Sequence, residues 1–167
     1  MKTSFFGTAL VLGLLSAIGP FAIDMYLPAL PSIGQSLGAS MGAVQASLMA
    51  FFISLGVGQI IYGPVSDMLG RKKPLYFGLV LFALGSVVAA LATSVHWLLV
   101  GRALQGMGAI SAAVTALLAD LTRDEVRTKG MAMVGASIGL MFALSLVVAP
   151  PLAGALGLPG VFGLTTV

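Results

Sequence analysis

The chain has no cysteine, one histidine and one tryptophan, and its 167 residues include only five acidic and eight basic side chains. Without cysteine there is no disulfide, no thiolate nucleophile and no cysteine-ligated zinc. Charged residues make up 8% of the sequence, against about 25% in an ordinary soluble domain, and a surface so poor in charge would aggregate in water. The net charge of +3 is not the footprint of a nucleic-acid binder, because the bases are scattered between apolar blocks and form no continuous face. The motifs HExxH and GxSxG and paired intramembrane aspartates are missing as well. The lone His96 stands beside Trp97 where two apolar blocks meet, as an interfacial loop residue would. No enzyme, metal site or cofactor is expected.

What the chain has in abundance is hydrophobic residues, 59% of the total, with a mean hydropathy of +1.10. A helix rising about 1.5 Å per residue needs about 20 apolar residues to cross a hydrocarbon core about 30 Å thick. Five blocks meet that length, at about 5–30, 44–65, 75–95, 97–119 and 130–150. The segment 152–167 is uncharged and glycine-rich, and would begin a sixth span that the chain does not complete. The expected fold is therefore an all-α polytopic membrane protein, a single membrane domain over 1–167 with five transmembrane helices, or six if that last segment counts. If the spans alternate, Lys2, Arg71, Lys72, Lys73, Arg123, Arg127 and Lys129 share one side, and residues 31–43 and 94–96 opposite carry no base. This positive-inside pattern puts the N-terminus in the cytoplasm of a plasma (inner) membrane protein. A cleaved signal peptide is the weaker reading of the first block, because Pro20 stands where cleavage before the following segment would need a small residue.

Two charges lie inside spans, where each costs about 2.5–3.5 kcal/mol near the bilayer centre on insertion scales. If helix one continues to Leu30, Asp24 sits roughly 9 Å below its outer end, and Arg102 sits roughly 8 Å below the outer end of helix four. The acid and base thus match in depth. Either both snorkel to the headgroups, or both face a water-filled cavity, paired or touching substrate. In the second case loss of water and a nearby guanidinium act in opposite senses on Asp24, poising it for proton exchange. Arginine stays charged, so Asp24 is the better proton carrier. Gln105, Gly106, Gly108 and Ala109 follow within two turns of Arg102 and offer that face an amide and small residues for close helix approach. Gly135 and Gly139 have the same small-residue spacing. Between spans two and three, Gly63 and Gly70 would allow tight turns. Asp67 near a helix N-terminus would gain from the helix dipole, and Arg71 could bridge Asp67 to Asp120. Lys72 and Lys73 serve equally well as a topological anchor on anionic lipid.

The run from Gly63 to Lys73 resembles the loop signature of the major facilitator superfamily, and Leu98 to Ala109 resembles its fourth-helix motif. Asp24-Met25-Tyr26-Leu27-Pro28-Ala29-Leu30-Pro31 is similar to the Bcr/CflA branch of drug:proton antiporters, and Ala149-Pro150-Pro151-Leu152-Ala153-Gly154 to the antiporter motif of the fifth helix. There are three departures. Met68 replaces a base, Ser145, Ala149 and Ala153 replace glycines, and the tryptophan- and arginine-bearing start of helix six is missing after Gly157. The resemblance implies twelve helices in two halves with a cavity between them and alternating access, of which this chain is an incomplete N-terminal half. It implies multidrug efflux of small hydrophobic or amphipathic drugs, such as bicyclomycin or chloramphenicol, in exchange for protons. The proton gradient would be the energy source, the bilayer and the drug the partners, and the missing C-terminal half a requirement. By the same resemblance Asp24 is the proton and substrate acid, Arg102 the charge that times protonation, and Gln105 a cavity-facing contact. Gly63, Asp67, Gly70, Arg71 and Asp120 form the cytoplasmic gate, and Pro150 and Gly154 shape helix five against the other half. The competing reading is an inactive fragment, a small membrane scaffold, or a half-transporter that needs a partner chain.

Overall fold

A computed structural model describes residues 5–166, so Lys2 lies outside the described residues. Helix α1 (Phe5–Tyr26) continues through one 3-10 turn (Leu27–Ala29) into α2 (Leu30–Ser36). The turn falls where Pro28 and Pro31 each remove a backbone donor. The remaining helices are α3 (Met41–Leu69), α4 (Lys72–Ala90), α5 (Val95–Gly108), α6 (Ser111–Leu121) and α7 (Asp124–Thr166). Among the described residues there is no strand. Five helical rods are long and apolar enough to cross a membrane: Phe6–Ser36, Met41–Leu69, Lys72–Ala90, Val95–Leu121 and Glu125–Gly163.

The outside of the bundle is aliphatic and its seams are small. Ile60 and Val147 are exposed, as are Ile53, Phe77 and Leu140, whereas Ala22, Ser47, Gly85, Ser86, Gly101, Ser145 and Ala149 are buried. In lipid, burying a large aliphatic chain gains little, so association rests on close backbone approach and on hydrogen bonds between helices. A Cβ added at Gly101 would stand 2.6 Å from the Ala89 nitrogen, and one at Gly106 would collide with the Phe51 carbonyl. α5 is thereby held against both α4 and α3, while α1 packs on α7.

Several sequence expectations shift. Span one runs on to Ser36 rather than stopping near Leu30. Gly63 lies within α3 and forms no turn, so the whole connection to α4 is Gly70-Arg71, with Gly70 at φ +81°. Asp67 therefore occupies the last turn of α3, not a helix N-terminus. Gly135 and Gly139 face open space, and it is Gly13 of α1 that meets α7, at Ser137 and Val134. α7 stays helical through Pro150 and Pro151 and leaves helical geometry at Gly157 (φ +57°, ψ −143°). There the chain doubles back, and Leu158, Val161 and Phe162 join Met25, Tyr26 and Leu98 in the core. The returning segment thus starts at 158, not 152.

Span four is broken, which hydropathy alone did not indicate. Ala109 is extended (φ −74°, ψ +106°), and α6 begins only at Ser111. Irregular backbone at membrane depth must find partners within the protein. Gln59 of α3 supplies them, donating from Nε2 to the Ala109 carbonyl at 3.1 Å and to the Ser111 hydroxyl at 3.2 Å.

Candidate functional site

Arg102 is the largest fully buried side chain among the described residues, with no exposed surface. Its guanidinium carbon lies 4.3 Å from the ring centre of Phe51, 4.5 Å from that of Tyr26 and 5.9 Å from that of Phe162. Three helices therefore bring aromatic faces to one cation, each attracted by the ring quadrupole. Nη1 donates to Gln105 Oε1 at 2.7 Å, one turn along the same helix. Gln105 Nε2 in turn donates to Ser86 Oγ at 2.6 Å and Thr165 Oγ1 at 3.4 Å, which ties α5 to α4 and to the returning end of α7. Tyr26 is held by hydrogen bonds to the Ser47 hydroxyl and, at 3.4 Å, to the Val44 carbonyl. Arg102 Nε and Nη2 have no hydrogen-bond partner.

Asp24 is not part of this cage. Among the described residues neither Asp24 nor Arg102 has a partner of opposite charge within bridging distance. Asp24 is level with Arg102 to within a turn, since Tyr26 touches Arg102, although span one runs on to Ser36 and the expected depth of roughly 9 Å below its end is not met. What fails is azimuth: two residues along a helix turn the side chain by roughly 200°, so Asp24 points away from the face that carries Tyr26. Gln105 is likewise fully buried rather than cavity-facing. The half-buried Asp24 shares its face of α1 with Leu14, Ala17 and Phe21, at spacings of three and four residues. Those three, with Val11, Leu15 and Ile18 and with Met141 of α7, line an apolar groove of about 400 Å³ that ends one turn short of the carboxyl.

At the opposite end, Arg71 Nη1 meets Asp67 Oδ1 at 2.7 Å and Nε donates to Asp120 Oδ2 at 2.9 Å. Nη1 also donates to Ser66 Oγ at 3.3 Å. One guanidinium thus joins the end of α3 to the end of α6, by the fork geometry that only arginine offers. Its hydrogen bond to Asp120 and the charges of both acids push its pKa above the ordinary arginine value. A raised basic pKa is lost only as pH climbs through it, so Arg71 stays charged at every working pH. Met68, where the resembling family has a base, is 82% exposed and takes no part in the cluster. Ser145, Ala149 and Ala153, the residues standing for glycines, repeat every fourth position on the buried face of α7, whereas Pro150 and Gly154 lie on its exposed face.

Sequence reasoning passed over Tyr26, Phe51, Phe162, Ser86, Thr165 and Gln59. Tyr26 lies inside the Asp24 motif, but nothing in that motif marks its ring as the partner of a cation on another helix. A phenylalanine in an apolar span has no mark that separates cage from lipid contact.

A family model described as Major Facilitator Superfamily matches residues 12–167. The chain is 43% identical over 152 residues to the inner membrane transport protein YajR of Escherichia coli (strain K12), covering 90% of this chain and 34% of that protein. It is 38% identical over 99 residues to multidrug resistance protein D of the same organism, covering 59% of this chain and 25% of that one. It is 35% identical over 153 residues to a bicyclomycin resistance protein homolog of Haemophilus influenzae (strain ATCC 51907 / DSM 11121 / KW20 / Rd), covering 92% of this chain and 38% of that one. The chain spans about a third of the length of these relatives. With that match over nearly its whole length, and with five spanning rods built around the loop and helix motifs described above, the chain belongs to the Major Facilitator Superfamily of transporters.

Proposed function

We propose that the protein to which this chain contributes exports small hydrophobic or amphipathic drugs, of the bicyclomycin or chloramphenicol kind, from the cell across its inner membrane in exchange for protons. The N-terminus is cytoplasmic, and this chain supplies the N-terminal wall of the cavity, with a C-terminal half required to complete it. The observation that carries the reading is Asp24: an unpaired, half-buried acid on the face of α1 that bears an apolar groove. Such a face suits a ligand with a greasy body and one polar or cationic group, and its carboxyl can exchange that group for a proton. Arg102 acts on Asp24 through its field and not by contact, held by its aromatic cage with Gln105. Arg71, Asp67 and Asp120, with Gly63 and Gly70, serve the cytoplasmic gate, and Pro150 and Gly154 face the other half. One charge moved across 100 mV is worth about 2.3 kcal/mol, ample for uphill export.

The names of the multidrug and bicyclomycin resistance relatives support the substrate class. The test is uncoupler-sensitive chloramphenicol efflux by a chain extended to the length of the relatives. Asp24→Asn should abolish it while leaving membrane insertion intact. Efflux that survives this substitution and still collapses with the proton gradient would refute the role of Asp24.

A further inference from the structure

A second groove, on another face of the bundle, has no part in that reading. Gly58, Ile61, Tyr62, Val65 and Leu69 form a stripe down α3, and Lys73, Pro74 and Phe77 of α4 with Met107 of α5 complete a trough of about 410 Å³. The stripe follows the three-and-four spacing of a single helix face. From Gly58 to Leu69 it runs about 16 Å at 1.5 Å per residue, comparable to half the hydrocarbon thickness. Its lining is wholly apolar: the Tyr62 hydroxyl is buried away from it, and Lys73, an exposed residue at its end, contributes the carbons of its stem. Lys73 is exposed and forms no ion pair, and neither does its exposed neighbour Lys72. The nearby carboxylates Asp67 and Asp120 are both engaged by Arg71. The trough therefore combines a long apolar channel with the uncompensated positive charge of Lys73 at its end and that of Lys72 beside it.

We infer that this trough binds an anionic phospholipid of the surrounding leaflet, with one acyl chain along the α3 stripe and the phosphate on Lys73. Charge decides the headgroup. A zwitterionic lipid brings its own cation and leaves the net charge at the mouth unchanged, whereas an anionic lipid neutralises it. A basic side chain near a membrane surface favours anionic lipid by about five-fold.

The test uses tryptophan quenching by lipids with brominated chains. Trp97 is the only tryptophan, so Phe77→Trp in a Trp97→Phe background places a single reporter on the trough wall. The chain is reconstituted in phosphatidylcholine vesicles containing either brominated phosphatidylglycerol or brominated phosphatidylcholine. Phosphatidylglycerol should reach half-maximal quenching at about five-fold lower mole fraction, Lys73→Gln in a Lys72→Gln background should bring that ratio to one, Lys72→Gln alone should leave most of it, and Lys129→Gln should leave it unchanged. A reporter at Leu140, an exposed position of α7 remote from the trough lining, should show no selectivity. Equal quenching by the two lipids, selectivity that survives Lys73→Gln in the Lys72→Gln background, or the same selectivity at Leu140 would each overturn the assignment. So would a reporter that neither lipid quenches, since protein and not lipid would then cover the trough.

Discussion

Replacing Arg102 by methionine should barely change stability, and replacing a ring of its cage should change it strongly. Two desolvated ring contacts, at 4.3 and 4.5 Å, contribute about 2 kcal/mol each. A hydrogen bond from a charged donor adds about 1.5–3 kcal/mol. Against these about 5–7 kcal/mol stands the cost of taking the guanidinium out of water, several kcal/mol after relaxation, together with the unpartnered Nε and Nη2. The terms nearly cancel, so Arg102→Met should lie within about 2 kcal/mol of the parent. Phe51→Ala removes a packed ring, about 3–5 kcal/mol, and strips the cation of about 2 kcal/mol besides. In an Arg102→Met background only the packing loss remains, which predicts a coupling energy of about 2 kcal/mol. Reversible unfolding of the four variants in mixed micelles measures it. A coupling below about 0.5 kcal/mol, or an Arg102→Met cost above about 4 kcal/mol, would show that the rings do not hold the charge as described.

Three other outcomes are expected. Gln59→Leu leaves the Ala109 carbonyl and the Ser111 hydroxyl without their donor, which should cost about 1–3 kcal/mol and speed amide exchange near Ser111 more than in α7. Gly106→Val forces a side chain into the Phe51 carbonyl and should cost about 1–3 kcal/mol or more, read as lowered thermal stability with α3 and α5 parted. Because the chain has no cysteine, Met68→Cys and His96→Cys can be labelled singly in whole cells. An impermeant maleimide should reach only position 96, and labelling of position 68 from outside would reverse the proposed orientation.

The rods were legible because hydropathy over about 20 residues is a property of the chain alone. The Arg71 cluster was legible too, since Asp67 and Arg71 are only four residues apart across one tight connection and Asp120 ends a span on the same side. What could not be read was rotation. Depth along a helix follows from counting, which placed Asp24 and Arg102 level, but the direction in which α1 turns toward α5 is set by packing. That packing depends on Gly85, Gly101 and Gly106 meeting backbone from other helices. The same limit hid Ser86, Thr165 and Phe51, whose partners lie far away in sequence. The break at Ala109 escaped because an apolar residue in extended backbone counts toward hydropathy as it would in a helix.

The joint at Ala109 separates the cage residue Arg102 from Asp120, the partner of Arg71, although both belong to span four. A tilt imposed on the lower arm by Arg71 need not be transmitted up a stiff rod. The lower arm is instead braced sideways, by packing of Ala113, Val114 and Leu118 with Ala9 and Leu12 of α1, and by the amide of Gln59 on α3, the helix that also carries Phe51. Spans one and two, and not the backbone of span four alone, therefore set where the lower arm stands in the bundle.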